Sequence, residues 1–204
     1  MRFDLRLIKR TGWLTGSILL LGILLVLGSY LYGWSLNPMH RIGDPIDSLN
    51  HVPIFHNGST THSSGRSTSS DGYNLGQKYQ CVEFVKRYYY QRVNHKMPDA
   101  YGNAKDFFNP RLIDGSLNPH RGLLQFVNGS RSKPKSDDLL IYDSSFFNRY
   151  GHVAIVASVS KREVEIVQQN PGPFSSSRKR LAVRYEGGSW YYEDKRILGW
   201  LRKN

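Results

Sequence analysis

Cysteine occurs once in the 204 residues, at position 81. A single cysteine excludes an internal disulfide and every multi-cysteine zinc site. None of the seven histidines stands in an H-x-x-x-H or H-E-x-x-H arrangement, so the sequence carries no metal signature and calls for no cofactor. Alanine is missing until Ala100, which leaves the front of the chain without an A-x-A-like cleavage site. Acidic residues are scarce, 16 Asp and Glu against 28 Lys and Arg, a net charge of +12. That surplus suits an anionic partner such as a membrane surface or an acidic polymer of the cell envelope, or it is a plain solvated basic surface. A nucleic-acid partner is not expected, since no recognition helix, aromatic platform or zinc motif accompanies the charge.

What the chain does have is a long apolar run. Residues 13–32 read WLTGSILLLGILLVLGSYLY without one charge, and about 20 such residues cross a bilayer as a helix. Trp13, Tyr30, Tyr32 and Trp34 stand at its two ends, where amphipathic aromatics favour the interface. Arg2, Arg6, Lys9 and Arg10 precede it with Asp4 as the one acid, a flank that stays cytoplasmic. The expected organisation is a cytoplasmic flank over 1–12, a transmembrane anchor over 13–34, a tether over 35–50 and one folded domain over 51–204. The anchor is the inner, cytoplasmic membrane's single span, with the domain periplasmic or extracellular. The rival reading is a signal peptide cut near Gly28 and Ser29; both export the domain.

After the tether, residues 51–58 suggest a short strand, and the Ser/Thr/Gly-rich stretch 59–72 a mobile loop, either a linker or a flap over a site. Cys81, Phe84, Val85 and Tyr88 then fall at i, i+3, i+4 and i+7, one face of a helix that Pro98 brings to an end. Glu83 in its first turn suits the helix dipole. A second short helix is expected over 102–108, and 111–135 reads as irregular. Apolar or alternating runs predict strands at 139–143, 151–159, 163–168, 181–185, 189–193 and 196–201. Helices first and strands afterwards indicate an α+β fold with an antiparallel sheet.

Two strands of this list bring chemistry together. If the turn between them is centred on Ser160, paired positions sum to about 320, and His152 faces Gln168 across roughly 5 Å. A slip of register offers Gln169 or Asn170 instead. Cys81, at the start of a helix packed on that sheet, is the nucleophile candidate. Positive potential from the helix end and from an imidazolium at His152 would favour its thiolate. Gln168, or Asn170 as the alternative third residue, would orient the imidazole. The backbone N–H of Cys81, with Gln80 or Tyr79 helping, would hold an oxyanion. The bland alternative is a buried, inert cysteine.

The motifs YQCVEF (79–84), YGNAKDFF (101–108), YGHVAIV (150–156), VQQN (167–170) and ILGW (197–200) together resemble the CHAP domain, the cysteine, histidine-dependent amidohydrolase/peptidase family. The flavour is that of the amidase domain of bifunctional glutathionylspermidine synthetase/amidase. The resemblance covers about 52–201. It implies a papain-like CHAP fold, with Cys81 on the nucleophile's position, His152 on the general base's and Gln168 on a third position usually held by Glu, Asp or Asn. It further implies a hydrolase of amide or peptide bonds, and export points it at peptidoglycan. The alternatives are a glutathionylspermidine-type amidase and a non-catalytic binding module of the envelope. The amide at 168 keeps the last one open, because it stabilises an imidazolium less than a carboxylate does.

Overall fold

The computed structural model describes residues 5–32, 35–99 and 101–204, with side chains from 13 to 28 and from 35 onward, Ala100 excepted. The basic flank and the aromatic ends Tyr30, Tyr32 and Trp34 lie outside the side chains described. Helix α1 runs over Leu5–Tyr32, and its leucines and isoleucines between 14 and 27 stand exposed. Among the described residues no helix is long and apolar enough to cross a membrane. The span expected over 13–34 extends beyond the side chains described, which stop at 28.

The domain is α+β. The hairpins β1 (Pro45–Leu49) with β2 (Val52–Phe55) and β3 (Arg66–Thr68) with β4 (Asn74–Gln77) precede helix α2 (Cys81–Arg92). After a 3-10 turn at Lys105–Phe107 come β5 (Leu117–Asn118), β6 (Leu123–Val127), β7 (Leu139–Tyr142), β8 (His152–Val159), β9 (Glu163–Val167), β10 (Arg178–Glu186), β11 (Ser189–Tyr192) and β12 (Ile197–Arg202). These eight form one antiparallel sheet in the order β11-β10-β9-β8-β7-β12-β6-β5. The sheet curls back on itself: Trp190 N–H donates to Ser130 O at 2.7 Å and Gly129 N–H to Trp190 O at 2.9 Å. That bonds the β11 edge to the chain leaving β6 and removes an open strand edge.

α2 forms because its apolar stripe has a face to bury. Phe84, Val85, Tyr88 and Tyr89 are at or below 1% exposure and pack with Ile141, Val153, Ile155 and Val167 of the sheet. The helix ends where Asn94 turns left-handed at φ 49, letting His95 N–H donate to Tyr89 O at 2.9 Å. The other face of the sheet buries a second cluster around Trp200, Tyr192, Val156 and Ile166. β8 is therefore covered on both sides, which is why Val153 to Val156 are all apolar. Gly199 in the ILGW motif allows β12 to lie against β6; a Cβ there would sit 2.0 Å from Phe126 O.

Four segments differ from expectation. Residues 35–50 are no free tether: β1 lies within them, Leu49 is buried, and Leu36 N–H donates to Gly58 O at 3.1 Å. The polar stretch 59–72 contains β3, whose alternate residues face solvent and so leave no apolar period to read. The stretch 111–135 contains β5 and β6, hidden by Gln125. That glutamine is fully buried, and its amide both accepts from Asn109 N–H at 2.9 Å and donates to Asn109 O at 2.8 Å. The helix expected over 102–108 is shorter, a single 3-10 turn.

Candidate active site

The site lies where α2 meets the splitting ends of β8 and β9. Tyr79 takes a left-handed conformation, φ 65, so that the chain turns from β4 straight into the helix. Gln80 is the N-cap and offers no side-chain cap. Cys81, half-buried, is then the first helical residue, and the free N–H groups of that first turn point outward. The backbone N–H groups of Val153, Val82 and Cys81 itself favour the thiolate form. Cys81 packs against the core cluster that includes Val153 and Ile155 of β8, the strand that His152 opens.

His152 opens β8. Gly151, at φ 74, makes the turn that delivers it; a Cβ at 151 would meet Tyr142 O at 2.6 Å. The half-buried imidazole Nε2 lies 3.0 Å from Gln168 Oε1. The Gln168 amide is oriented by its other end, since Nε2 donates to Ser176 O at 3.1 Å. Its oxygen therefore faces the ring, so His152 Nε2 carries the proton and Nδ1 keeps its lone pair.

The route to this pair differs from the expected one. β8 and β9 pair Ile155 with Val167, a sum of 322, with a bulge near Ala157 that shifts the turn end to 323. Continued, that register would set Asn170 opposite His152. The ladder instead stops at Val167, Gln168 N–H donates to Ser177 O at 2.8 Å, and Asn170 goes left-handed at φ 54. Gln168 reaches the histidine as a diagonal neighbour. Asn170 faces elsewhere: its Nδ2 donates to Gln80 Oε1 at 2.7 Å and Thr60 O at 3.3 Å.

Gln80 is engaged at both ends. Its backbone N–H donates to Gln77 O at 3.2 Å and its side-chain amide to His62 O at 2.8 Å. The 59–65 loop is thus held over the start of α2. The Tyr79 ring packs on Phe55, centroids 5.4 Å apart, and its hydroxyl lies toward Gly43. Of the expected oxyanion donors, the Cys81 N–H is the one left on the thiol side.

A network that sequence reasoning did not find ties the two halves together. Gln169, fully buried, donates through Nε2 to Gln80 O at 3.0 Å and Glu83 Oε2 at 2.9 Å, and accepts at Oε1 from Phe55 N–H at 2.8 Å. Glu83 pairs with Arg87 at 2.6 Å, both nearly inaccessible. The only signal in the sequence was a Glu and an Arg at i, i+4 on a helix face otherwise apolar. Among the described residues no group of three or more His, Cys, Asp or Glu could hold a metal ion.

Burial governs both ionisations. It pushes the Cys81 thiol up to about 11, against the three backbone N–H groups that favour the thiolate. It pushes His152 down to about 4, helped by Arg196 and Lys179 and opposed by the Gln168 bond. At neutral pH the resting pair is thiol and neutral imidazole, not the ion pair expected from the helix dipole. Because the unfolded imidazole protonates first, near 6.5, this histidine's contribution to stability is complete above that pH. It is lost as pH falls toward 4, at about 1.4 kcal/mol per pH unit. Thermal melts between pH 7 and 4 should show the parent chain losing more stability than His152→Asn; equal losses would mean the imidazole is not held neutral.

A family model for the CHAP domain matches residues 70–170. The trypanothione synthetase of Crithidia fasciculata is 32% identical over 143 residues, 69% of this chain and 22% of that protein. The bifunctional glutathionylspermidine synthetase/amidase of Escherichia coli (strain K12) is 34% identical over 147 residues, 67% of this chain and 23% of that protein. The chain spans less than a quarter of the length of these curated relatives. The crystal structure of Ly7917 aligns at a TM-score of 0.38 and 15% identity, over 69% of this chain and 56% of that one. Through residues 70–170, which include Cys81, His152 and Gln168, this chain belongs to the CHAP domain family of cysteine, histidine-dependent amidohydrolases and peptidases.

Proposed function

We propose that this chain is a membrane-anchored cysteine amidohydrolase that cleaves amide or peptide bonds in peptidoglycan. The reading is supported by the imidazole of His152, fixed by Gln168 at the start of β8, and by a half-buried thiol at the start of α2, the helix packed on that strand. In the reaction, Nδ1 takes the Cys81 proton as sulfur attacks the scissile carbonyl. The Cys81 N–H stabilises the oxyanion, and Gln80 joins it once its amide leaves the His62 carbonyl. The C–N bond breaks as His152 returns the proton to the departing amine. Water, deprotonated by the same imidazole, then attacks the thioester and releases the acid.

Anchoring is supported by the uncharged run 13–32, helical and with exposed leucines. Its length in sequence suits a bilayer, and the basic flank suits a cytoplasmic N-terminus. The domain would then face the wall from the outer side of the cytoplasmic membrane. A net charge of +12 fits an anionic envelope polymer and fits a polycationic substrate poorly. The second reading, an amidase of glutathione–polyamine conjugates, is favoured by similarity to glutathionylspermidine synthetase/amidase. A direct comparison separates them. Full-length chain in detergent should release new amino groups from purified peptidoglycan and leave glutathionylspermidine intact. Turnover of the conjugate alone would establish the second reading, and turnover of neither would leave a binding module.

A further inference from the structure

We propose that the loop 171–177 and the segment 36–41 form one face that rests on the headgroup layer of the bilayer, so that the amide bonds cut here are those presented close to the membrane. This rests on the anchoring reading given above.

Three residue steps separate Tyr32 from Ser35, a reach of at most about 11 Å. Ser35 is fixed to the domain, its hydroxyl sharing a 2.8 Å hydrogen bond with His56 Nε2. The backbone follows: Leu36 N–H donates to Gly58 O at 3.1 Å and Gly43 N–H to His56 O at 2.8 Å. Asn37 then joins the two parts of the proposed face. Its Oδ1 accepts from Met39 N–H at 3.0 Å, and its Nδ2 donates to Pro173 O at 3.1 Å.

Two apolar side chains project beside that junction, Met39 at 83% exposure and Phe174 at 73%. Arg41 is exposed next to them. The nearby carboxylates are engaged: Asp44 accepts from Arg41 N–H at 2.6 Å, and Asp47 pairs with Arg178 and Ser177. An apolar pair beside a cation that is in no ion pair among the described residues, with Asp47 paired to Arg178, matches a headgroup boundary, where hydrophobic tips insert and guanidinium meets phosphate. A helix of exposed leucines ends within a short reach of this face, which gives it a bilayer as its occupant.

The same loop holds the site. Ser176 O accepts from the Gln168 amide and Ser177 O from Gln168 N–H. The catalytic rim and the proposed membrane face are thus two sides of one loop, and the domain cannot swing far from the bilayer to reach distant bonds.

The single native cysteine makes a clean test possible. In the full chain carrying Cys81→Ala, one nitrobenzoxadiazole probe is placed through Phe174→Cys and, separately, through Tyr185→Cys on β10, also exposed. Each is reconstituted into phosphatidylethanolamine–phosphatidylglycerol vesicles containing lipid spin-labelled near the headgroup. Co-flotation with the vesicles, loss of most of the emission at 174 and retention of it at 185 is the expected result. Co-flotation with no quenching at 174, or equal quenching at both, overturns the face while leaving the anchor standing. Failure to float at all removes the anchor reading and this inference with it.

Discussion

Amide hydrolysis by the Cys81→Ala variant is expected to fall at least about a thousandfold below that of the parent chain. The thiol supplies the new bond to the acyl carbon, and the remaining polar groups can only hold and polarise the substrate. Cys81→Ser should be nearly as inactive, because a neutral hydroxyl is a much weaker nucleophile than a thiolate. Neither change should disturb the fold. Cys81 is a half-buried residue at the margin of the cluster formed by Phe84, Val85 and Val153, and the loss of one sulfur there costs about 1 kcal/mol. Melting curves beside the rate measurements separate the two effects. Parent-like turnover in either variant would remove the thiol mechanism.

The thiol's own titration gives the same site a second reading. Burial holds it up near 11, so alkylation by iodoacetamide should climb about tenfold per pH unit until that range. A fast, flat rate below pH 9 would instead mean a standing thiolate–imidazolium pair. In the neutral resting site the two charges arise together, by proton transfer as substrate binds. Two adjacent opposite charges cost less to bury than either alone.

Much of the candidate site's geometry was legible in the sequence, although the hairpin register differs from the expected one. The helix start at Cys81 could be read because its apolar spacing is regular and Glu83 marks its first turn. The six strands from 139 onward could be read because their faces are apolar. β6 could not, since Gln125 interrupts the pattern with a polar group that its partners at Asn109 and Asn118 fully satisfy. β1 could not, since Asp47 and Ser48 are held by contacts with Ser177 and Arg178, some 130 positions away. The His152–Gln168 contact emerged from a hairpin axis placed one residue early. The bulge brings the paired sum from 323 to 322, and beyond the end of the ladder at Val167 the Gln168 side chain reaches His152 diagonally. Gln169 illustrates what periodicity cannot reveal. Beside Gln168 in the chain, it points to the opposite face and clamps Gln80 O to Phe55 N–H, a role set wholly by tertiary packing.

The order of activities in the His152 and Gln168 series tests the base and its support together. His152→Ala should lose about a hundred- to ten-thousandfold in kcat, the usual worth of a positioned general base. Gln168→Ala should lose less, about ten- to a hundredfold, with KM nearly unchanged. It leaves the imidazole in place but unpaired at Nε2, a cost of about 1–3 kcal/mol. Sequence alone suggests that Gln168→Glu would equal or exceed the parent, because a carboxylate stabilises the imidazolium. The Ser176 carbonyl alters that expectation. It now accepts from the Gln168 amide at 3.1 Å, and in the variant it would face a carboxylate oxygen with no proton between them. Gln168→Glu should therefore fall between Gln168→Ala and the parent at neutral pH. Its pH profile should move more than its rate. In the parent the activity falls on the acid side as His152 protonates near 4, and a carboxylate at 168 raises that point toward neutrality. An acid limb that stays in place in Gln168→Glu, or a Gln168→Ala variant that is neutral while Asn170→Ala is crippled, would mean that the third group is Asn170 and that the 3.0 Å bond to Gln168 does not support catalysis.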